Sequence, residues 1–299
     1  MATLLTLRRR IKAASNVAKA TRAMQMIAAA NLRKAQDAAL SARPYVRKLT
    51  VLAKDISGKA DEKSIHPYIS PPSDSTKTLI IALSPDKGLC GGLITNLIKE
   101  FFSFAKEQPD ASYIVMGKKF ENQVVKLKNE VLATFVFGTT LPKFDAVFPL
   151  AKLINDQYLS GNVGNVKVLY TDFNTVFSQT PRIATLLPIS LADAKTEIID
   201  SMTSKTADNK EEEGQYQLYE PSIADILPSL LRHYLEMSLY QFLLESYLSE
   251  QAARMFAMQN ATNNAKDIIE GFKLEYNKTR QAKITSELLD ITGGRFKGT

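Results

Sequence analysis

Residues 84–92 read Ser-Pro-Asp-Lys-Gly-Leu-Cys-Gly-Gly, a glycine-rich loop that is the candidate for binding a ligand. Gly88, Gly91 and Gly92 could offer backbone N–H groups to a phosphate where a helix begins. Asp86 and Lys87 add one charge of each sign, and Cys90 adds a thiol. The spacing matches neither glycine fingerprint. A phosphate loop needs Gly, four residues, then Gly-Lys-Ser/Thr, and a dinucleotide loop needs Gly-x-Gly-x-x-Gly. A lone Cys in an apolar loop reads first as a small buried residue. Cys90 and the two histidines, His66 and His233, are too few for a Cys/His metal cluster, and a Ser/His triad would need a histidine at the sheet edge. The expectation is no catalytic residue, no metal and no cofactor.

The loop sits between a short apolar run, TLIIAL (78–83), and a helical pattern, GLITNLIKEFFSFAKE (92–107). The same alternation continues. Strands are predicted at 112–117, 131–138 and 166–173, helices at 118–128 and 145–161, and an edge strand at 180–189 with its prolines at the ends. Strand and helix at this spacing imply βαβ units and a mostly parallel sheet. This places an α/β domain at 76–192, after a Pro/Gly-bearing linker that begins near residue 55. A polar linker follows at 193–220.

Long helices are predicted on both sides. From Leu4 to Leu49, the positions three and four apart form a heptad seam, Ala-rich in the middle and interrupted only by Thr21 and Gln25. Small residues there let a partner helix lie close. Met24 and Ile27, beside the seam, offer a second contact surface. A second heptad series runs Ile223, Ile226, Leu230, His233, Met237, Tyr240, Leu244, Tyr247, Gln251, Arg254, Met258, Ala261, Ala265, Ile268, Phe272. The helical segments are set at 1–57 and 221–292. The second is on the order of 100 Å long, more than the width of any domain this chain could build, so most of it must project outward. Beyond Phe272 the stripe weakens. That tail reads either as a solvated end or as a helix tip gripped by other chains.

Charge sharpens the picture. Residues 1–49 hold eleven Lys/Arg and one acid, Asp37, while the chain as a whole carries +7. A basic helix on a slightly acidic body implies an acidic partner. No uncharged apolar run is long enough to span a bilayer. Read from the residues alone, two functions stay open: a nucleic-acid-binding coiled-coil protein, and a small-molecule enzyme on the α/β domain.

Three blocks in order carry a resemblance: RRRIKAASNVAKATRAMQMIAAANLRKAQ, LSPDKGLCGGL, and EQAARMFAMQNATNNA followed by YNKTRQAKITSELLDITGG. Together they resemble the gamma subunit family of the rotary F-type ATP synthase. The middle block is similar to the family's Ser-Asp-Arg/Lys-Gly-Leu-Cys-Gly, with Pro85 inserted. The resemblance implies an α/β fold plus a long α-helical coiled coil: antiparallel N- and C-terminal helices with an inserted Rossmann-like α/β domain of mostly parallel sheet. It implies a non-catalytic central shaft that couples proton translocation to ATP synthesis or hydrolysis. The implied partners are the alpha and beta subunits as a hexameric ring, the epsilon subunit and the c-ring, with no nucleic acid and only peripheral membrane association. The implied interface residues are Met24, Arg254, Arg280, Gln281, Thr285 and Glu287. Asp86, Lys87, Gly88, Cys90 and Gly91 belong to the family loop. The expected location is the cytoplasmic face of a bacterial plasma membrane rather than the mitochondrial inner membrane.

Overall fold

The computed structural model describes residues 3–58, 66–69, 75, 77–126, 130–136, 138–189, 220 and 222–295. The polar stretch expected at 193–220 lies outside them except for Glu220. The chain divides into two compact units, Met1–Ala28 with Arg254–Thr299, and Ala29–Ala253. Helices α1 (Leu4–Gly58) and α5 (Ile223–Arg295) contribute segments to both. Every residue of the α1 seam from Leu4 to Leu49 is buried or half-buried, so the heptad pattern marks the packed face correctly.

In the first unit, α1 and α5 run antiparallel. Arg8 Nε donates to the Tyr276 hydroxyl at 2.9 Å, and Thr21 Oγ1 meets Thr262 Oγ1 at 2.8 Å, so partner numbers fall along α5 as they rise along α1. The Arg10 guanidinium lies over the Phe272 ring at 5.9 Å. Leu7, Ala28, Met258, Thr262 and Ala265 are buried. The α5 stripe corrects the expected one. Thr262 is more buried than Ala261, and Ile269 is half-buried while Ile268 is 51% exposed. The hydrogen bond to Thr21 holds Thr262 inward, and the packed face then continues through Ala265, Ile269, Phe272 and Tyr276.

The second unit is built on a five-stranded sheet. Its strands are β1 (Thr78–Leu83), β2 (Ser112–Met116), β3 (Val131–Phe135), β4 (Asn165–Phe173) and β5 (Gln179–Leu187), in the order β3-β2-β1-β4-β5. All neighbours are parallel except β4 and β5. β5 is the edge strand, yet Pro181 lies within it, paired with Thr171, rather than at its end. A proline is tolerated there because an edge strand has one side with no ladder to donate to. β1 is buried on both faces, which is why it reads as a continuous apolar run rather than an alternation.

Helix α2 (Leu93–Glu107) brings Leu97 and Phe101 onto Ile80, Ala82, Tyr113, Val115 and Leu169. The Phe101 ring packs edge-on at 4.6 Å from Phe120, which belongs to α3 (Lys118–Lys126). Helix α4 (Val147–Leu159), entered through a short 3-10 turn at Phe144–Ala146, buries Leu150, Ile154 and Tyr158. Within this unit α5 meets the sheet directly. Phe242 packs on Tyr170 at 4.7 Å between ring centroids, and Ser249 Oγ donates to Thr171 O at 3.0 Å.

Candidate functional site

The loop between β1 and α2 is built as a joint. Asp86 uses both carboxylate oxygens on backbone amides. Oδ1 accepts from Lys118 N–H at 2.9 Å, and Oδ2 accepts from Gly138 N–H at 2.6 Å. The first contact satisfies a free donor at the start of α3 and sets a negative charge at the positive end of that helix. The second ties in the turn after β3. The inserted Pro85 keeps its carbonyl in use, accepting from Lys119 N–H at 3.4 Å.

Beyond Asp86 the backbone turns sharply. Leu89 has φ 66° and Gly91 φ 60°, which swings Leu89 outward and Cys90 inward. Cys90 is 1% exposed and packs with Leu93, Ile94 and Ala253, so the loop seats against α5. A thiol enclosed this way acts as a small apolar residue, as its setting in the sequence suggests. The neighbouring turn is equally tight. Gly117 has φ 106°, and a Cβ there would lie 1.9 Å from Ser84 O.

The histidines hold structure. His66 Nδ1 accepts from Tyr68 N–H at 3.2 Å, and burial lowers its pKa from 6.5. His233 Nε2 bonds to the Tyr45 hydroxyl at 2.7 Å. Among the described residues no group of three His, Cys, Asp or Glu side chains could hold a metal ion. No described helix is long and apolar enough to cross a membrane.

The remaining sequence-predicted residues lie in the first unit. Met24 is 38% exposed and Arg254 half-buried. Arg280, Gln281, Thr285 and Glu287 are all exposed on α5. Thr285 Oγ1 donates to Gln281 O at 3.0 Å, and Lys283 Nζ sits 3.6 Å from Glu287 Oε1. Arg280, Ile284, Glu287 and Leu288 share one face by their spacing. Ile284, Leu288 and Leu289 keep large apolar side chains in the open, as do Met26, Ile27 and Val17 on α1. Met26, Val17 and Leu274 escaped the sequence reading. They stand off the packed stripe, and a single apolar residue on a polar face carries no periodic signal. This unit also concentrates charge, with fourteen Lys/Arg against five Asp/Glu.

A family model described as ATP synthase matches residues 3–295. The ATP synthase gamma chain of Dehalococcoides mccartyi is 38% identical over 296 residues, covering 98% of each chain. That of Chloroherpeton thalassium is 36% identical over 301 residues, covering 98% of this chain and 97% of its own. Among solved structures, a chain of the Euglena gracilis mitochondrial ATP synthase, in the OSCP/F1/c-ring assembly, superposes with a TM-score of 0.65 at 18% identity, covering 98% of this chain and 94% of its own. At that identity the likeness is one of fold.

Proposed function

Because this chain belongs to the ATP synthase gamma-chain family, we propose that it is the central rotary shaft of an F-type ATP synthase. It couples proton translocation through the membrane sector to ATP synthesis or hydrolysis in the alpha-beta ring. The observation that carries this reading is the first unit. There, an antiparallel helix pair joined through small and polar residues turns large apolar side chains and a net positive charge outward.

The physics suits a turning part. Ala28 and Ala265 keep the pair slim. Outward cations attract an acidic sleeve at long range, without the interlocking knobs that would trap one angle. Met24, Arg254, Arg280, Gln281, Thr285 and Glu287 are the proposed contacts to the alpha and beta subunits. Flexible Met24 can repack as the facing surface changes. The chain makes and breaks no bonds itself. The loop from Asp86 to Gly91 serves as the mount of α5 on the sheet.

In domain terms the proposed working parts are the helices at 1–57 and 221–292, the α/β domain at 76–192 and the link at 193–220. The α/β domain is the part that meets epsilon and the c-ring. The proposed location is peripheral, on the cytoplasmic face of a bacterial plasma membrane. The test is reconstitution of the full chain with alpha and beta subunits. The expected result is a stoichiometric complex whose ATPase activity depends on this chain. A chain that neither joins the ring nor changes its turnover, but binds DNA with steep salt dependence, would overturn the reading.

A further inference from the structure

Where α5 crosses the sheet, two carboxyl groups meet inside the protein. Asp172 on β4 is 0% exposed, and Glu245 on α5 is 2% exposed. The charged groups facing Glu245 are Asp172 from β4 and Arg182 from β5, and it also accepts a hydrogen bond from the Phe173 backbone amide. The Arg182 Nε lies 2.9 Å from Asp172 Oδ2, and the Arg182 side chain is half in solvent. Asp172 Oδ1 and Glu245 Oε1 are fully buried and make no hydrogen bond, while Asp172 Oδ2 has the ion pair with Arg182.

Two buried acceptors with no hydrogen-bond partner are costly, and two neighbouring carboxylates offset by one half-exposed guanidinium are more so. A single hydrogen resolves both problems. It lets one carboxyl donate to the other and leaves one negative charge for Arg182. We propose that Asp172 and Glu245 share one buried proton, and that this proton latches α5 onto β4. The same low-dielectric pairing of acids holds a proton wherever two carboxyls occupy one site. Burial, and next the contact with Asp172, push the Glu245 carboxyl well above its ordinary value of 4.5, with Arg182 opposing.

The sign follows from linkage. An acid whose folded pKa is raised binds its proton more tightly in the folded chain. The latch's contribution to stability is therefore fully present below about 4.5, declines steadily as pH climbs from there and is lost once pH passes the folded value, while the folded chain itself keeps the proton until that value is reached. One proton corresponds to an unfolding constant that rises by up to about tenfold per pH unit within that window.

The experiment uses the full chain. Chemical unfolding is measured from about pH 4.5 up into the alkaline range for the wild type and for Glu245→Gln, which keeps a neutral donor in place. Infrared spectra across the same range, beginning just above pH 4.5, are searched for a protonated-carboxyl C=O band. The expected result is a band absent from Glu245→Gln and Asp172→Asn, and a wild-type pH slope exceeding that of Glu245→Gln by up to about tenfold per unit. Equal slopes in the two proteins, or no protonated-carboxyl band in the wild type, would overturn the proposal. Should neither variant fold, an infrared pH titration of the wild type decides it. A band that bleaches only well above 4.5 supports the latch, and one that bleaches at about 4.5 refutes it.

Discussion

Thr21 and Thr262 face one another across the helix pair of the first unit, their hydroxyl oxygens 2.8 Å apart. Each also reaches its own helix backbone, Thr21 at Val17 O and Thr262 at Met258 O. A hydroxyl has one hydrogen, so one threonine donates across the seam while the other donates to its own helix. Each therefore depends on the other. Replacing either with Val is expected to cost about 1 kcal/mol of unfolding free energy, and replacing both less than the sum of the two. A double-mutant cycle by urea denaturation checks this, and strict additivity would show that the hydroxyls do not cooperate.

Gly117 has little room to change. Its φ of 106° and the 1.9 Å approach of any Cβ to Ser84 O set a backbone atom, not a flexible side chain, in the way. Gly117→Ala should lose at least about 2–3 kcal/mol and lower the yield of folded protein. Asp86→Ala is milder, about 1 kcal/mol, because it removes one helix-end contact and frees one loop amide. Thermal melts of the two variants should rank them in that order.

His66 gives a pH dependence of its own. Its Nδ1 accepts the Tyr68 N–H, which requires an unprotonated ring nitrogen, and burial lowers its pKa from 6.5. A histidine with a depressed folded pKa binds fewer protons folded than unfolded. Its contribution is present above 6.5 and is lost as pH falls below that value through the folded pKa. His66→Asn should flatten the loss of stability between neutral and mildly acidic pH. Parallel acid-side profiles for the two proteins would assign that dependence to other groups.

Exposed residues of α5 should separate folding from function. Arg280→Ala and Thr285→Val remove groups that face solvent in the isolated chain, so its unfolding free energy should move by no more than about 0.5 kcal/mol. If these side chains contact the ring, affinity for the alpha-beta assembly or coupled turnover should drop severalfold. Unchanged affinity and turnover would remove both residues from the interface.

Much of the fold was legible in local pattern. Heptad spacing from Leu4 to Leu49 identified the packed face of α1, because a helix repeats its geometry every few residues and burial must follow that repeat. The apolar run of β1 announced a strand covered on both sides for the same reason. The basic stretch announced its need for a partner, since charge is a property of composition. The tertiary structure decided what depends on residues far apart in the chain. Ile269 rather than Ile268 packs on the face that carries Thr262 to Thr21. Asp86 became a brace only because folding delivered the amides of Lys118 and Gly138 to it. Asp172 and Glu245 look like ordinary surface acids in sequence, and only the docking of α5 on β4 encloses them. Periodicity is written along the chain. The energy of a buried polar group depends on which distant atom arrives beside it.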